Sequence, residues 1–247
     1  MKKVRKALDE LSISYNDEML EKLLLFYEEI SSSSKNFNLT GLKGWDQIRD
    51  VLLIRSLRYA FLINSKFEKY NFLNNKHLKI LDLGTGAGIP SIPLKIFFPD
   101  INLTLADSSN KKCLFLNSVI KKLNLDNIRI INKRAEILGK SELRESFDLV
   151  LTRALAKLPT LAELSIPLAK IGGLIITAKG EIQTKELKES EHITKILGVS
   201  NIISEKIIMP KFLPEDNFVI WEKSTKSPEI YPRRDGVPKK NPLVKKT

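Results

Sequence analysis

Two hydrophobic rhythms divide the chain. Over residues 1–64 apolar side chains recur at helical spacing, and Leu20, Leu23, Leu24, Tyr27 and Ile30 share one face. The serine run 31–34 ends that helix, and the segment Asn36-Phe37-Asn38-Leu39-Thr40-Gly41 reads as a loop. Asp46 stands where an N-cap is needed for a further helix running through Leu57 to Phe61. The polar stretch from Asn64 to His77 reads as a connector.

From residue 78 the rhythm changes. Short β-rich runs at 78–83, 102–106, 128–132, 147–151 and 174–178 alternate with helical patterns at 90–98, at 111–123, after the fourth strand up to Lys170, and at 181–197. The pair Gly172-Gly173 turns the chain into the fifth strand. Strand–helix alternation predicts a doubly wound α/β fold, a parallel sheet with helices on both faces. The last two runs, 202–209 and 218–221, are separated only by a turn with Pro210 and Pro214, so they form an antiparallel pair. Residues 224–247 hold four prolines and seven Lys or Arg against Glu229 and Asp235, and read as a basic tail. The expected organisation is a helical extension over 1–77 packed on the core, a core over 78–223, and the tail.

Composition adds partners rather than fold. The 247 residues carry 41 Lys and Arg against 29 Asp and Glu, a net charge of +12 that points to nucleic acid. The single cysteine, Cys113, excludes an internal disulfide and a cysteine metal cluster, and His77 and His192 have no ligand spacing, so no metal is expected. The basic start, Met1-Lys2-Lys3-Val4-Arg5-Lys6, is followed by no apolar stretch, and no run reaches the ~18 apolar residues of a membrane span. A cytoplasmic protein without membrane association is the expectation.

The sharpest chemical signal is Ile80-Leu81-Asp82-Leu83-Gly84-Thr85-Gly86-Ala87-Gly88-Ile89-Pro90, where a strand runs into a glycine turn and a helix follows. Such a turn lies beyond the carboxyl end of the first strand, where open α/β sheets bind ligands. Two ligands compete. A dinucleotide calls for Gly-x-Gly-x-x-Gly or Ala, yet Ile89 stands at the third small position. Asp82 before the turn suits a ligand with a positive amino group, as in S-adenosylmethionine. Asp107, at the end of the second strand, offers a carboxylate to the ribose hydroxyls both cofactors share. The terminal antiparallel hairpin matches methyltransferase sheets by analogy.

With these segments in view, the chain resembles the ribosomal RNA small subunit methyltransferase G family, also called glucose-inhibited division protein B. The likeness runs through Asn38-Leu39-Thr40, the glycine segment up to Leu94, Asp107-Ser108-Ser109-Asn110-Lys111-Lys112, Arg134-Ala135-Glu136, Thr152-Arg153-Ala154, Lys179-Gly180 and Tyr231-Pro232-Arg233-Arg234. The resemblance implies a class I, Rossmann-like S-adenosylmethionine-dependent fold. It implies methylation at N7 of a guanine, position 527, in the 530 loop of bacterial 16S rRNA. Carried over by position, the cofactor contacts fall on Gly84, Ile89, Ala135, Glu136 and Arg153, beside Gly86 of the turn and Asp107 at the end of the second strand. One departure concerns the helix before the sheet, where the family carries a His and an Asp and this chain has Leu52 and Arg55.

The chemistry is economical. Guanine N7 has an in-plane lone pair and no proton to lose, so transfer needs alignment and no general base. No catalytic residue is therefore assigned. Arg153 stands where amino-group methyltransferases carry a Pro-Pro-aromatic loop, and suits a cofactor carboxylate or an RNA phosphate. Glu136 follows the third strand, at the expected adenine edge. Cys113 reads as core within its helix, which leaves no nucleophile for pyrimidine-carbon methylation. The tail's Arg233, Arg234, Lys239 and Lys240 are offered to phosphates and Tyr231 to stacking, with Lys111 and Lys112 near the cofactor mouth. The expected partner is 16S rRNA or a 30S particle, met by a monomer. An RNA-binding assembly factor on a vestigial cofactor fold and a small-molecule methyltransferase are the competing readings.

Overall fold

The structure is a computed structural model describing residues 1–34, 39–71, 77–180 and 184–244. Its centre is one seven-stranded sheet in the order β3-β2-β1-β4-β5-β7-β6. The strands are β1 (Lys79–Leu83), β2 (Asn102–Ala106), β3 (Ile128–Ile131), β4 (Phe147–Arg153), β5 (Ala169–Lys179), β6 (Val199–Ile207) and β7 (Asp216–Lys223). β1 to β5 run parallel, and β7 lies antiparallel between β5 and β6. Reversal of order beside β1 opens the crevice in which doubly wound sheets bind ligands.

Strand alternation divides the core into two layers. Ile80, Leu149, Leu151, Ile176 and Ile220 face one layer, where they join Val4, Leu8, Leu23, Phe26 and Leu57 of the N-terminal helices in a single buried cluster. Leu81, Val150, Ile175, Val219 and Trp221 face the other. The helices α1 (Lys2–Glu10), α2 (Asp17–Ser33), α3 (Gly44–Gln47), α4 (Arg55–Lys66), α5 (Ser91–Phe97) and α6 (Asn110–Lys122) precede the short α7 (Ala135–Leu138). Then come α8 (Leu158–Ser165), α9 (Thr184–Ile196) and α10 (Val237–Lys240). The N-terminal helices have no separate core: their buried apolar residues belong to the same cluster as one face of the sheet, and α2 and α4 pack on α5. Tyr59 pins them to the sheet: its buried hydroxyl donates to the carbonyl of Thr152 (2.6 Å) and accepts from the N–H of Ala178 (3.0 Å).

Several expectations shift. Asp46 lies inside the first turn of α3, which starts from Lys43, and pairs with Arg49 (2.6 Å) instead of capping. Residues 48–54 wind as a π-helix joining α3 to α4. The helix after β4 stops at Ser165, and β5 starts at Ala169, so Gly172-Gly173 sits within a strand. There the register slips: Phe147 pairs with Ala169, but Leu149 with Leu174. A Cβ on Gly173 would lie 2.9–3.1 Å from three carbonyl oxygens, so the irregularity requires glycine. Asn36, Phe37 and Asn38 of the expected loop, and the first residues of the expected helix at 181–197, lie outside the described residues.

Candidate functional site

The glycine turn is held by the strand beside it. The N–H groups of Gly84 (2.8 Å) and Thr85 (3.1 Å) both donate to the carbonyl of Ala106 at the end of β2. Gly84 has φ +73° and Gly86 φ +60°, values that side chains rarely adopt. An added Cβ on Gly84 would also lie 2.5 Å from Cδ1 of Leu155, so that side chain packs directly on the bare backbone.

Asp107, 8% exposed, is the turn's anchor. Its Oδ2 accepts from the N–H of Gly86 (3.0 Å), its Oδ1 from the N–H of Ser109 (2.8 Å), and Nζ of Lys112 stands 3.7 Å away. Each carboxylate oxygen keeps a further lone pair. Vicinal ribose hydroxyls, as donors, match that pair of acceptors. Glu136, in α7 after β3, is 5% exposed. Burial pushes its carboxyl up, but the N–H of Gly236 at 3.0 Å, its own N–H and the Arg134 guanidinium bring it below the usual range. It is therefore an ionised acceptor.

Gly84, Asp107, Ala135 and Glu136 line one cavity of about 390 Å³, the size of a small-molecule cofactor site. Leu155 and Ala156 after β4, Thr160 and Leu164 of α8, and the cations Lys112, Lys133, Arg134 and Lys239 also line it. A lining of mixed apolar and acceptor groups fits an adenosyl group. Three expected contacts lie off this wall. Gly86 is engaged through its N–H by Asp107. Ile89, 7% exposed, packs into the core behind the turn. Arg153 reaches toward the N-terminal helices, where Nη2 donates to the carbonyl of Val51 (2.5 Å) and Nη1 is buried without a partner.

Asp82 also departs from its expected role. It is fully buried beneath the turn, bound to the Thr85 hydroxyl (2.8 Å), outside the cavity wall. Burial pushes its carboxyl up to about 7. Cys113 is buried in α6, as its sequence context requires, and burial raises its thiol pKa further from a nucleophilic thiolate.

The tail is not a free arm. Arg233 donates through its N–H (2.8 Å), Nε (2.9 Å) and Nη2 (2.7 Å) to Glu163 of α8, a carboxylate with no exposed surface. That removes Arg233 from phosphate binding and leaves Arg234, Lys239 and Lys240 exposed. A charge buried this deeply is tolerated only when paired, which is why the tail must dock. Sequence reading missed Glu163, although a lone carboxylate in the apolar run 158–168 signals a buried partner elsewhere. It also missed the partner of Arg55: at this atypical position the guanidinium pairs with Asp216, which Arg58 engages as well.

Comparison with known proteins shows the family and the fold. The family model described as rRNA small subunit methyltransferase G matches residues 19–208. A protein of that name from Carboxydothermus hydrogenoformans is 36% identical over 98% of this chain and 99% of its own length. One from Ligilactobacillus salivarius is 34% identical over 97% of both. Among solved structures, a Corynebacterium glutamicum protein covers 91% of this chain and 97% of its own at TM-score 0.54 and 11% identity. The S-adenosylmethionine-dependent methyltransferase SibL covers 70% of this chain and 56% of its own at TM-score 0.51 and 13% identity. Among the described residues no group of side chains is arranged to hold a metal ion, and no helix is long and apolar enough to cross a membrane. The chain belongs to the rRNA small subunit methyltransferase G family.

Proposed function

We propose that this protein transfers a methyl group from S-adenosylmethionine to N7 of a guanine in the 530 loop of 16S rRNA. Family membership makes it an S-adenosylmethionine-dependent rRNA methyltransferase, and the atom and the loop are the finer reading. The observation that supports it is the cavity at the carboxyl ends of β1, β2 and β3, where Asp107 and Glu136 present acceptors beside a bare glycine backbone.

When bound, the cofactor supplies a methyl group already activated on a sulfonium. The remaining work falls to the chain. Asp107 would hold the ribose, Ala135 and Glu136 the adenine edge, and the turn at Gly84 and Gly86 the amino-acid portion. Leu155 and Ala156 cover the same cavity and would keep water from it. No side chain has to take a proton, because N7 attacks with a free lone pair. Arg153, with one guanidinium nitrogen unpartnered, is assigned to an anionic group of cofactor or RNA. The exposed cations Lys111, Arg234 and Lys240 would meet phosphates. The same reading places a monomeric protein in the cytoplasm, acting on 16S rRNA or a 30S particle.

Mass analysis of 16S rRNA from cells with and without the gene tests the reading. Loss of one methyl group, with loss of N7-specific chain cleavage at that guanine, is the expected result. A methylation pattern unchanged by deletion would refute it.

A further inference from the structure

We propose that the C-terminal strap 231–240 is part of the cofactor site, clamped by the Arg233–Glu163 pair so that the Gly236 N–H positions the Glu136 carboxylate and Lys239 closes the cavity. Arg233 and Glu163 are positioning residues on this account. The proposal rests on the reading of the cavity as the S-adenosylmethionine site.

Three features fix the strap against the cavity's outer side. The first is the clamp: three Arg233 donors converge on Glu163, and Nη2 also reaches the carbonyl of Asn241 (2.7 Å). Glu163 follows Thr160 by one helical turn on α8, and Thr160 lines the cavity. The second is close backbone approach. Pro232 lies against Gly139, where a Cβ would stand 2.7 Å from its Cγ and Cδ, and Arg144 bonds the carbonyls of Gly139 (2.8 Å) and Tyr231 (2.7 Å) together. The third is the cavity wall itself. The Thr160 hydroxyl donates to the carbonyl of Pro238 (3.0 Å), and Lys239 beside it enters the lining.

Between clamp and wall sits Gly236, with φ +75°. That left-handed turn aims its N–H at Oε1 of Glu136, 3.0 Å away. Two donors thus meet on Oε1 of Glu136, the Arg134 guanidinium of its own loop (3.4 Å) and a backbone N–H 100 residues further along the chain. A carboxylate held in one orientation binds a ligand without the entropy cost of ordering it. Coupling of this kind is reciprocal: if strap docking tightens cofactor binding by some factor, the cofactor holds the strap down by the same factor.

The test uses full-length protein and S-adenosylhomocysteine, titrated calorimetrically. Arg233→Ala is expected to weaken binding on the order of 5- to 30-fold, a coupling of ordinary size. Arg233→Lys should recover part of that loss. Because Arg233→Ala leaves a buried carboxylate unpaired and endangers folding, Gly236→Ala is the second variant. No atom lies within 4 Å of the added Cβ, so it perturbs the turn and not the packing. It should weaken binding in the same direction while thermal melting shows a folded protein. In the wild type, saturating ligand should slow amide exchange over 233–240. In turnover, KM for S-adenosylmethionine should rise while kcat stays near wild type, which a partly unfolded enzyme would not do. If wild type binds the ligand and both variants bind equally tightly, with no exchange protection of the strap, the proposal is overturned and the cofactor reading survives. If wild type itself fails to bind, both fall. If Arg233→Ala instead spares cofactor binding and flattens the salt dependence of RNA binding, the strap is an RNA grip and the proposal is wrong.

Discussion

Replacing Asp107 by Asn separates what that carboxylate does for the fold from what it does for a ligand. In the free protein the two oxygens accept one N–H each, from Gly86 and Ser109, at 3.0 and 2.8 Å. Asparagine has the same shape but only one acceptor oxygen. In either orientation its amide NH2 faces one of those N–H groups, donor against donor. One charge-assisted bond is lost and one nearly buried donor is stranded, which costs about 1–3 kcal/mol of folding stability. On the ligand side, one ribose hydroxyl loses a charged acceptor, worth about 1.5–3 kcal/mol, or roughly tenfold to a hundredfold in Kd. Urea unfolding of the free protein measures the first quantity, and calorimetric titration with S-adenosylhomocysteine the second. The reasoning requires both losses. If stability falls as expected but Kd stays within about twofold of wild type, Asp107 only staples the glycine turn, and the ribose has been put in the wrong place.

Other perturbations follow from the same geometry. Asp216→Ala leaves the fully buried Arg58 with only the carbonyls of Met209 and Pro214 as acceptors, and should cost about 3–5 kcal/mol in chemical denaturation. Gly84→Ala forces a side chain into φ +73° and against Leu155; a loss of at least about 1–2 kcal/mol in stability is expected, and calorimetry should show cofactor affinity falling with it. Asp82 is held up at about 7 by burial, so its unfolded state releases the proton at lower pH than its folded state. The stability this brings is intact below about pH 4 and is lost as pH rises to 7. Asp82→Asn should therefore gain stability relative to wild type as thermal melts move from pH 5 to pH 8. A constant difference would refute that sign. For RNA, Arg234→Ala with Lys240→Ala should lower the slope of log affinity against log salt by up to about 1.4–1.8, since each phosphate contact contributes roughly 0.7–0.9.

What the sequence disclosed and what it hid follow from the range of the interactions involved. β1 and β2 were legible to within a residue because β-rich runs and glycine turns are local signals, and the terminal antiparallel pair followed from a connection too short for a crossover. Asp107 and the glycine turn were legible for the same reason: one loop and the end of the neighbouring strand make the contact. The π-wound residues 48–54 were not, since seven residues are too few for an i→i+5 winding to show a period distinct from that of the flanking α-helices. β5 was cut short because paired glycines read as a turn, whereas here three carbonyls crowd Gly173 inside the strand. The largest misreading concerned the tail. Its composition is that of a solvated basic arm, and no local pattern reveals that Arg233 belongs to a carboxylate 70 residues earlier. Only Glu163 carried a hint, as the one charge in a helix otherwise fit for the core. A buried acid in an apolar run implies a distant base, and the proline-rich basic segment offers seven. The fold selects Arg233 because the backbone N–H of the same residue also reaches Glu163, at 2.8 Å, so the main chain and the side chain arrive together.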